Sequence, residues 1–284
     1  MEIINTADGF AACYTDGQFD LAKWREYIDA RVPGARELCL RDAQETMDAG
    51  YSWEAYFLPV LNAAAAEPEK LERALRSFRE VTEGLDGRIT TAFGKSVDAD
   101  VILYLGLCCG AGWVTELGGK TAVLLGIEKI LELGWYDIDS MTGLIVHELG
   151  HVYQAQYGRL ACETDALPDR FLWQLFTEGA AMVFEQEVLG DRDYFHQDRG
   201  GWKRWCDENA AAICRAFRRE LGTMTPETQR YFGDWVRFED RPDTGYYLGA
   251  RFVRDMLRQD SFDRVINYDL DEVRRRFDTF AAGM

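Results

Sequence analysis

Residues 140 to 157 read SMTGLIVHELGHVYQAQY, and the segment reads as a helix with Asp137, Asp139 and Ser140 as cap candidates just ahead of it. Inside it stands His147-Glu148-Leu149-Gly150-His151. On a helix, residues four apart lie one above the other on one face, so both imidazoles can converge on a single ion while Glu148 projects beside them. The chain has only three histidines, and two of them are here. Gly150 lowers helix propensity by about 1 kcal/mol relative to alanine, so its presence predicts a neighbouring backbone that approaches closely.

Two histidines in this pattern point to zinc, and a catalytic zinc site needs a third protein ligand and an open fourth position. The next helical stretch, FLWQLFTEGAAMVFEQEVL over 171 to 189, supplies Glu178, flanked by Gly179, Ala180 and Ala181. Such a small-residue collar lets one helix come close to another, which makes Glu178 the expected third ligand. Glu185, two turns further on, is a candidate acceptor for the second ring nitrogen of a ligand histidine, with a surface carboxylate as the alternative. His196, the remaining histidine, reads as a surface loop residue, with a substrate contact as the alternative. GYYLGARFVRDML, from Gly245, begins a further helix with two tyrosines in its first turn. A phenol there can donate to the oxyanion of an addition intermediate, and either ring can equally be core.

Composition narrows the class. Apolar residues make up 47% of the 284, with eight Trp, sixteen Phe and thirteen Tyr, which describes a globular chain rather than a disordered one. The formal net charge of −17 disfavours nucleic acid or an anionic membrane as the main partner, since both would be repelled. No signal-peptide pattern and no membrane-length apolar run is present, so a cytoplasmic protein is expected. The seven cysteines form an odd set without CxxC spacing and are expected to be mostly small buried side chains.

Residues 19 to 88 read as successive helices, with Asp16 or Asp20 as the first cap, Gly50 ending the second and Pro68 in a first turn. Leu71, Leu75, Phe78 and Val81 recur at helical spacing and predict an amphipathic helix on a core. Trp24, Trp53 and Tyr56 read as packing residues. Composition changes near Gly94. The runs 101 to 107 (VILYLGL) and 121 to 127 (TAVLLGI), separated by glycine-rich turns, predict strands of a small sheet. Glu128 follows the second run, either as a helix-start carboxylate or facing a cleft. A helix is expected in WKRWCDENAAAICRAFRREL, followed by an aromatic, charged loop over 228 to 245 that packs on the sheet or the cleft.

The residues HELGH and TEGAAMVFE together resemble the HExxH and Glu-Gly-x-Ala-x-x-x-Glu helices of the gluzincin zinc metallopeptidases, including aminopeptidase N-like enzymes. The order of sheet, HExxH helix, glutamate helix and tyrosine helix is also similar to predicted bacterial zinc-dependent proteases. The likeness spans roughly residues 100 to 260. It implies zinc held by His147, His151 and Glu178, with Glu148 as general base. GYYLGARFV resembles the Tyr-x-x-Gly helix start of the aminopeptidases, which implies Tyr246 as the transition-state tyrosine. Twenty-six residues separate His151 from Glu178, more than in the aminopeptidases, and their Gly-Ala-Met-Glu-Asn strand is missing from this sequence.

The expectation is therefore an α+β, mostly helical protein: a helical region over 1 to 94, then a zincin-like domain over 95 to 284 whose small sheet packs on the HExxH helix. Its activity would be zinc-dependent hydrolysis of a peptide or protein substrate, extended along the strand 121 to 127. The rival readings are a zinc hydrolase of a non-peptide amide and a catalytically silent zinc-binding regulatory protein.

Overall fold

The computed structural model describes every residue except Asp234 and Trp235, which lie in the stretch read as an aromatic loop. The protein is mostly helical with a small mixed sheet. In chain order the elements begin with strands β1 (Glu2–Asn5), β2 (Tyr14–Thr15) and β3 (Gln18–Phe19). Helices α1 (Leu21–Arg31), α2 (Ala35–Asp48), α3 (Leu58–Ala66), α4 (Pro68–Thr82) and α5 (Leu85–Phe93) follow. Strands β4 (Asp100–Tyr104), β5 (Trp113–Leu117) and β6 (Lys120–Gly126) lead into α6 (Ile127–Leu133) and α7 (Ile138–Tyr157). The chain continues through α8 (Leu167–Leu189), α9 (Trp202–Glu220), α10 (Thr244–Met256), α11 (Phe262–Val265) and α12 (Leu270–Ala282). Two compact units divide it, residues 1–148 and 149–284, and the boundary falls within the single continuous helix α7.

Within the first unit, the helices predicted over 19 to 88 are present. Asp20 caps α1, its side chain accepting from the Ala22 and Lys23 amides, and Pro68 opens α4. The buried stripe of α4 is Ala74, Ser77, Phe78, Val81 and Thr82; Leu71 and Leu75 are only half-buried, so the helix is turned slightly from the face its leucines suggest. Strand order in the sheet is β1-β4-β6-β5, with β1 parallel to β4, β4 parallel to β6, and β5 antiparallel to β6. Both predicted strands are the interior ones, apolar because each is covered on two faces. Two short edges escaped the sequence reading: β1, which pairs Glu2 with Asp100, and β5, which pairs Trp113 with Leu124. Helix α1 locks the end of β4, since Trp24 Nε1–H donates to the Leu105 carbonyl at 2.9 Å and the Leu105 N–H donates to the Tyr27 hydroxyl at 2.9 Å.

The second unit is built on α8 and α10. A Cβ placed on Gly179 would lie 2.3 Å from the backbone of Gly249, so these helices touch main chain to main chain, which only glycine permits. In the same unit, Phe217, Phe252, Phe277 and Phe280 from α9, α10 and α12 form an aromatic core with neighbouring ring centroids 5.4 to 6.4 Å apart. All seven cysteines are free thiols, five of them buried. No helix among the described residues is long and apolar enough to cross a membrane.

Candidate metal centre

The helix α7 starts where its polar leader predicts. Asp137 accepts from the Ser140 amide at 2.9 Å and from the Ser140 hydroxyl at 3.1 Å, an N-terminal cap that fixes the phase of everything downstream. His147 and His151 then stand one turn apart on that helix, His147 buried and His151 half-buried. Among the described residues, His147, His151 and Glu178 each offer one donor atom, and the three atoms lie within 4.8 Å of one another. The three ligands expected from sequence are thus brought together.

Their local packing explains how. Gly150 packs against Ala181 of α8, where an added Cβ would sit 2.9 Å from the Ala181 Cα. The predicted close approach is therefore made by the glutamate helix. Of the small residues beside Glu178, Ala181 faces α7, whereas Gly179 faces α10 instead. Glu178 Oε2 comes to rest 3.3 Å from His151 Nε2. Ligands bonded at 2.0 to 2.1 Å in a tetrahedral shell are about 3.3 Å apart, whereas a charge-assisted N–H to carboxylate hydrogen bond closes to about 2.8 Å. The separation of 3.3 Å is one from which both atoms can reach a single ion. A donor set of two imidazoles and one carboxylate suits zinc chemically, so the residues fit the ion.

Glu148 follows His147 in the same turn. On the first unit's sheet, Gly112 at the start of β5 lies against Leu144 and Glu148, where a Cβ would be 2.7 Å from Leu144 Cδ1 and 3.4 Å from Glu148 Cγ. The edge strand therefore begins beside the glutamate. The expectation that substrate lies along residues 121 to 127 is overturned by the strand order, because β6 is paired on both sides, with β4 and with β5. Strand β5 is the edge.

A second donor group contains His147, Glu185 and His196, again within 4.8 Å of one another. His196 Nδ1 stands 3.0 and 3.2 Å from the two Glu185 oxygens, which is hydrogen-bonding distance to a fully buried carboxylate. His196 is thus not the surface loop residue its position suggested. Its partner lies eleven residues away, and only the path of the loop after α8 brings them together.

The two tyrosines separate cleanly. Tyr247 is buried, donates to Asp207 at 2.7 Å and accepts from Arg251 at 2.8 Å. Burial pushes its hydroxyl up above the ordinary phenol range, so it is a core group. Tyr246 is half-buried, with its ring edge-on to His196 at 6.4 Å and to Phe232 at 5.8 Å. Glu128 faces no cleft. It is fully buried and accepts from the Gly106 and Cys108 amides, each at 2.9 Å, holding the turn after β4. Burial raises its pKa against the opposing pull of those two hydrogen bonds.

Comparison of the chain with protein-family models, with curated proteins and with solved structures found no match.

Proposed function

We propose that the protein is a zinc-dependent peptidase of the zincin-like kind, with the HExxH helix and Glu178 carrying the metal. The observation that carries this reading is the convergence of His147, His151 and Glu178, with the His151 and Glu178 donors 3.3 Å apart. When bound, zinc acidifies a water and polarises the scissile carbonyl. Glu148, one residue from the first ligand, accepts the water's proton and delivers it to the leaving amine. Tyr246, at the start of α10, donates a hydrogen bond to the oxyanion. Because β5 ends the sheet and begins beside Glu148, its open backbone edge is the place for an extended peptide to pair.

The test is metal analysis combined with a cleavage profile. The purified chain should hold one zinc, lose it on Glu178→Ala, and cleave members of a diverse peptide library only when metal-loaded. Unchanged zinc content in Glu178→Ala would remove the ligand assignment. A full complement of zinc with no peptide cleaved would leave the silent or non-peptide hydrolase readings.

A further inference from the structure

The third histidine is built into the second unit more firmly than a loop residue needs to be. Its loop leaves α8 at Gly190, a left-handed cap, and is pinned by the Gln186 side chain, whose amide donates to the Tyr194 carbonyl at 3.0 Å. Phe195, the residue before it, is buried against Trp202 and Tyr247 at centroid distances of 5.7 Å. These contacts aim the His196 ring inward. Nδ1 meets both oxygens of Glu185, while Nε2 lies 2.7 Å from the Gln197 amide nitrogen, whose group also reaches Met182 Sδ at 3.8 Å. A neutral imidazole satisfies both contacts at once: Nδ1–H donates to the carboxylate, and Nε2 accepts from the amide. The imidazole also lies T-shaped to the Tyr246 ring, with centroids 6.4 Å apart.

Glu185 is wholly buried, and a carboxylate there is costly unless its oxygens are occupied. One ring nitrogen of His147 and one of His196 lie within 4.8 Å of a Glu185 oxygen. Metal-bound imidazoles nearly always hand their second nitrogen to such an acceptor, which sets tautomer and ring orientation. For Glu185 to serve His147 as acceptor it must itself be fixed, and the two contacts from His196 Nδ1 at 3.0 and 3.2 Å fix it.

We propose that His196 is a positioning residue for the metal centre, fixing Glu185 and through it the ligand His147. The inference rests on the zinc reading given above. His147 and His151 stand one turn apart on α7 with Glu178 within reach of both, whereas His196 Nδ1 is already engaged with both Glu185 oxygens at 3.0 and 3.2 Å. On that ground the ion is assigned to the first group and the support to the second.

The experiment is zinc affinity of the full chain by chelator competition, with the visible absorption spectrum of the cobalt(II)-substituted protein as a second readout. Loss of an outer partner costs roughly 10- to 100-fold in metal affinity, and one removed a step further belongs at the lower end, about 10-fold. His196→Ala should weaken zinc by that amount and shift the cobalt bands, and Glu185→Ala should do at least as much. Added together, the two changes should cost no more than Glu185→Ala alone. An asparagine amide can stand where Nδ1 stands, so His196→Asn should restore affinity and spectrum; His196→Gln, which places its amide nearer Nε2, should not. This pair decides the matter even if the alanine variant fails to fold. Affinity and spectrum unchanged in both His196→Ala and His196→Gln would overturn the proposal. So would loss of the ion on His196→Ala with retention on Glu178→Ala, because the metal would then sit in the second group. If His151→Ala and Glu178→Ala leave zinc affinity untouched, it is the zinc reading itself that fails.

Discussion

Two side chains in the HExxH turn and the tyrosine turn can be separated by single-atom changes. Glu148→Gln keeps the shape of the residue and removes its ability to take a proton. Cleavage should fall by at least about 100-fold, the low end of what a positioned general base contributes, while zinc content stays at that of the parent protein. Full activity in that variant would exclude Glu148 as the base. Tyr246→Phe deletes one hydroxyl from a half-buried ring and should lower kcat about 100- to 1000-fold with KM little changed, as expected for a donor used only in the transition state. Tyr247→Phe should instead leave kcat near the parent value. Its hydroxyl serves Asp207 and Arg251, so the loss should appear in denaturant unfolding at about 1 kcal/mol. Composition alone does not separate the two adjacent tyrosines, although the Tyr-x-x-Gly resemblance falls on Tyr246. The packing of α9, which supplies Asp207, places Tyr247 in the core.

Helix contacts around the centre depend on glycine, and the two positions should respond differently. Gly179→Ala puts a methyl 2.3 Å from Gly249 backbone, where nothing flexible can yield, and should cost about 3 kcal/mol in unfolding experiments. At Gly150 the clash with Ala181 is milder, at 2.9 Å, and alanine regains about 1 kcal/mol of helix propensity. Gly150→Ala should therefore destabilise less than Gly179→Ala yet weaken zinc, since the backbone shift it forces against Ala181 pushes the His151 turn away from Glu178. A different element carries the acid response. At the start of α12, Asp269 caps the Glu272 amide, and the Arg275 and Arg276 guanidiniums beside Glu272 hold its carboxyl down at about 2, from an ordinary 4.5. Between those values the unfolded chain binds the extra proton, so the contribution is intact above pH 4.5 and is lost as pH falls toward 2. Thermal melts across that window should show a shallower pH dependence for Glu272→Gln than for the parent; identical slopes would contradict the pairing. Sequence spacing disclosed these helices because a repeat of 3.6 is a local property. It missed β5, five residues between glycine turns, and it placed substrate on β6 because an apolar run does not say which strand ends the sheet.

Across the whole molecule, what could be read in advance was whatever neighbouring residues determine. That His147, His151 and Glu178 come together was legible, because residues four apart share a helix face and the small residues after Glu178 mark a helix able to approach it. The role of His196 was not, since it follows from a loop path held by Gln186 and Phe195. The link from β1 to β4 was equally hidden, joining Glu2 to a residue almost a hundred positions later through backbone alone. That link has a consequence for handling the protein. Strand β4 is nearly all apolar, with Val101, Ile102, Leu103 and Tyr104 buried, and β1 is the ribbon that covers its outer side. Without residues 2–5, that side would present bare amides and carbonyls flanked by oily side chains, the surface from which chains stack into aggregates. A variant lacking them should sediment as higher-order species and bind an amyloid dye at concentrations where the full chain stays monodisperse; a clean single species would show that β1 is dispensable as a shield.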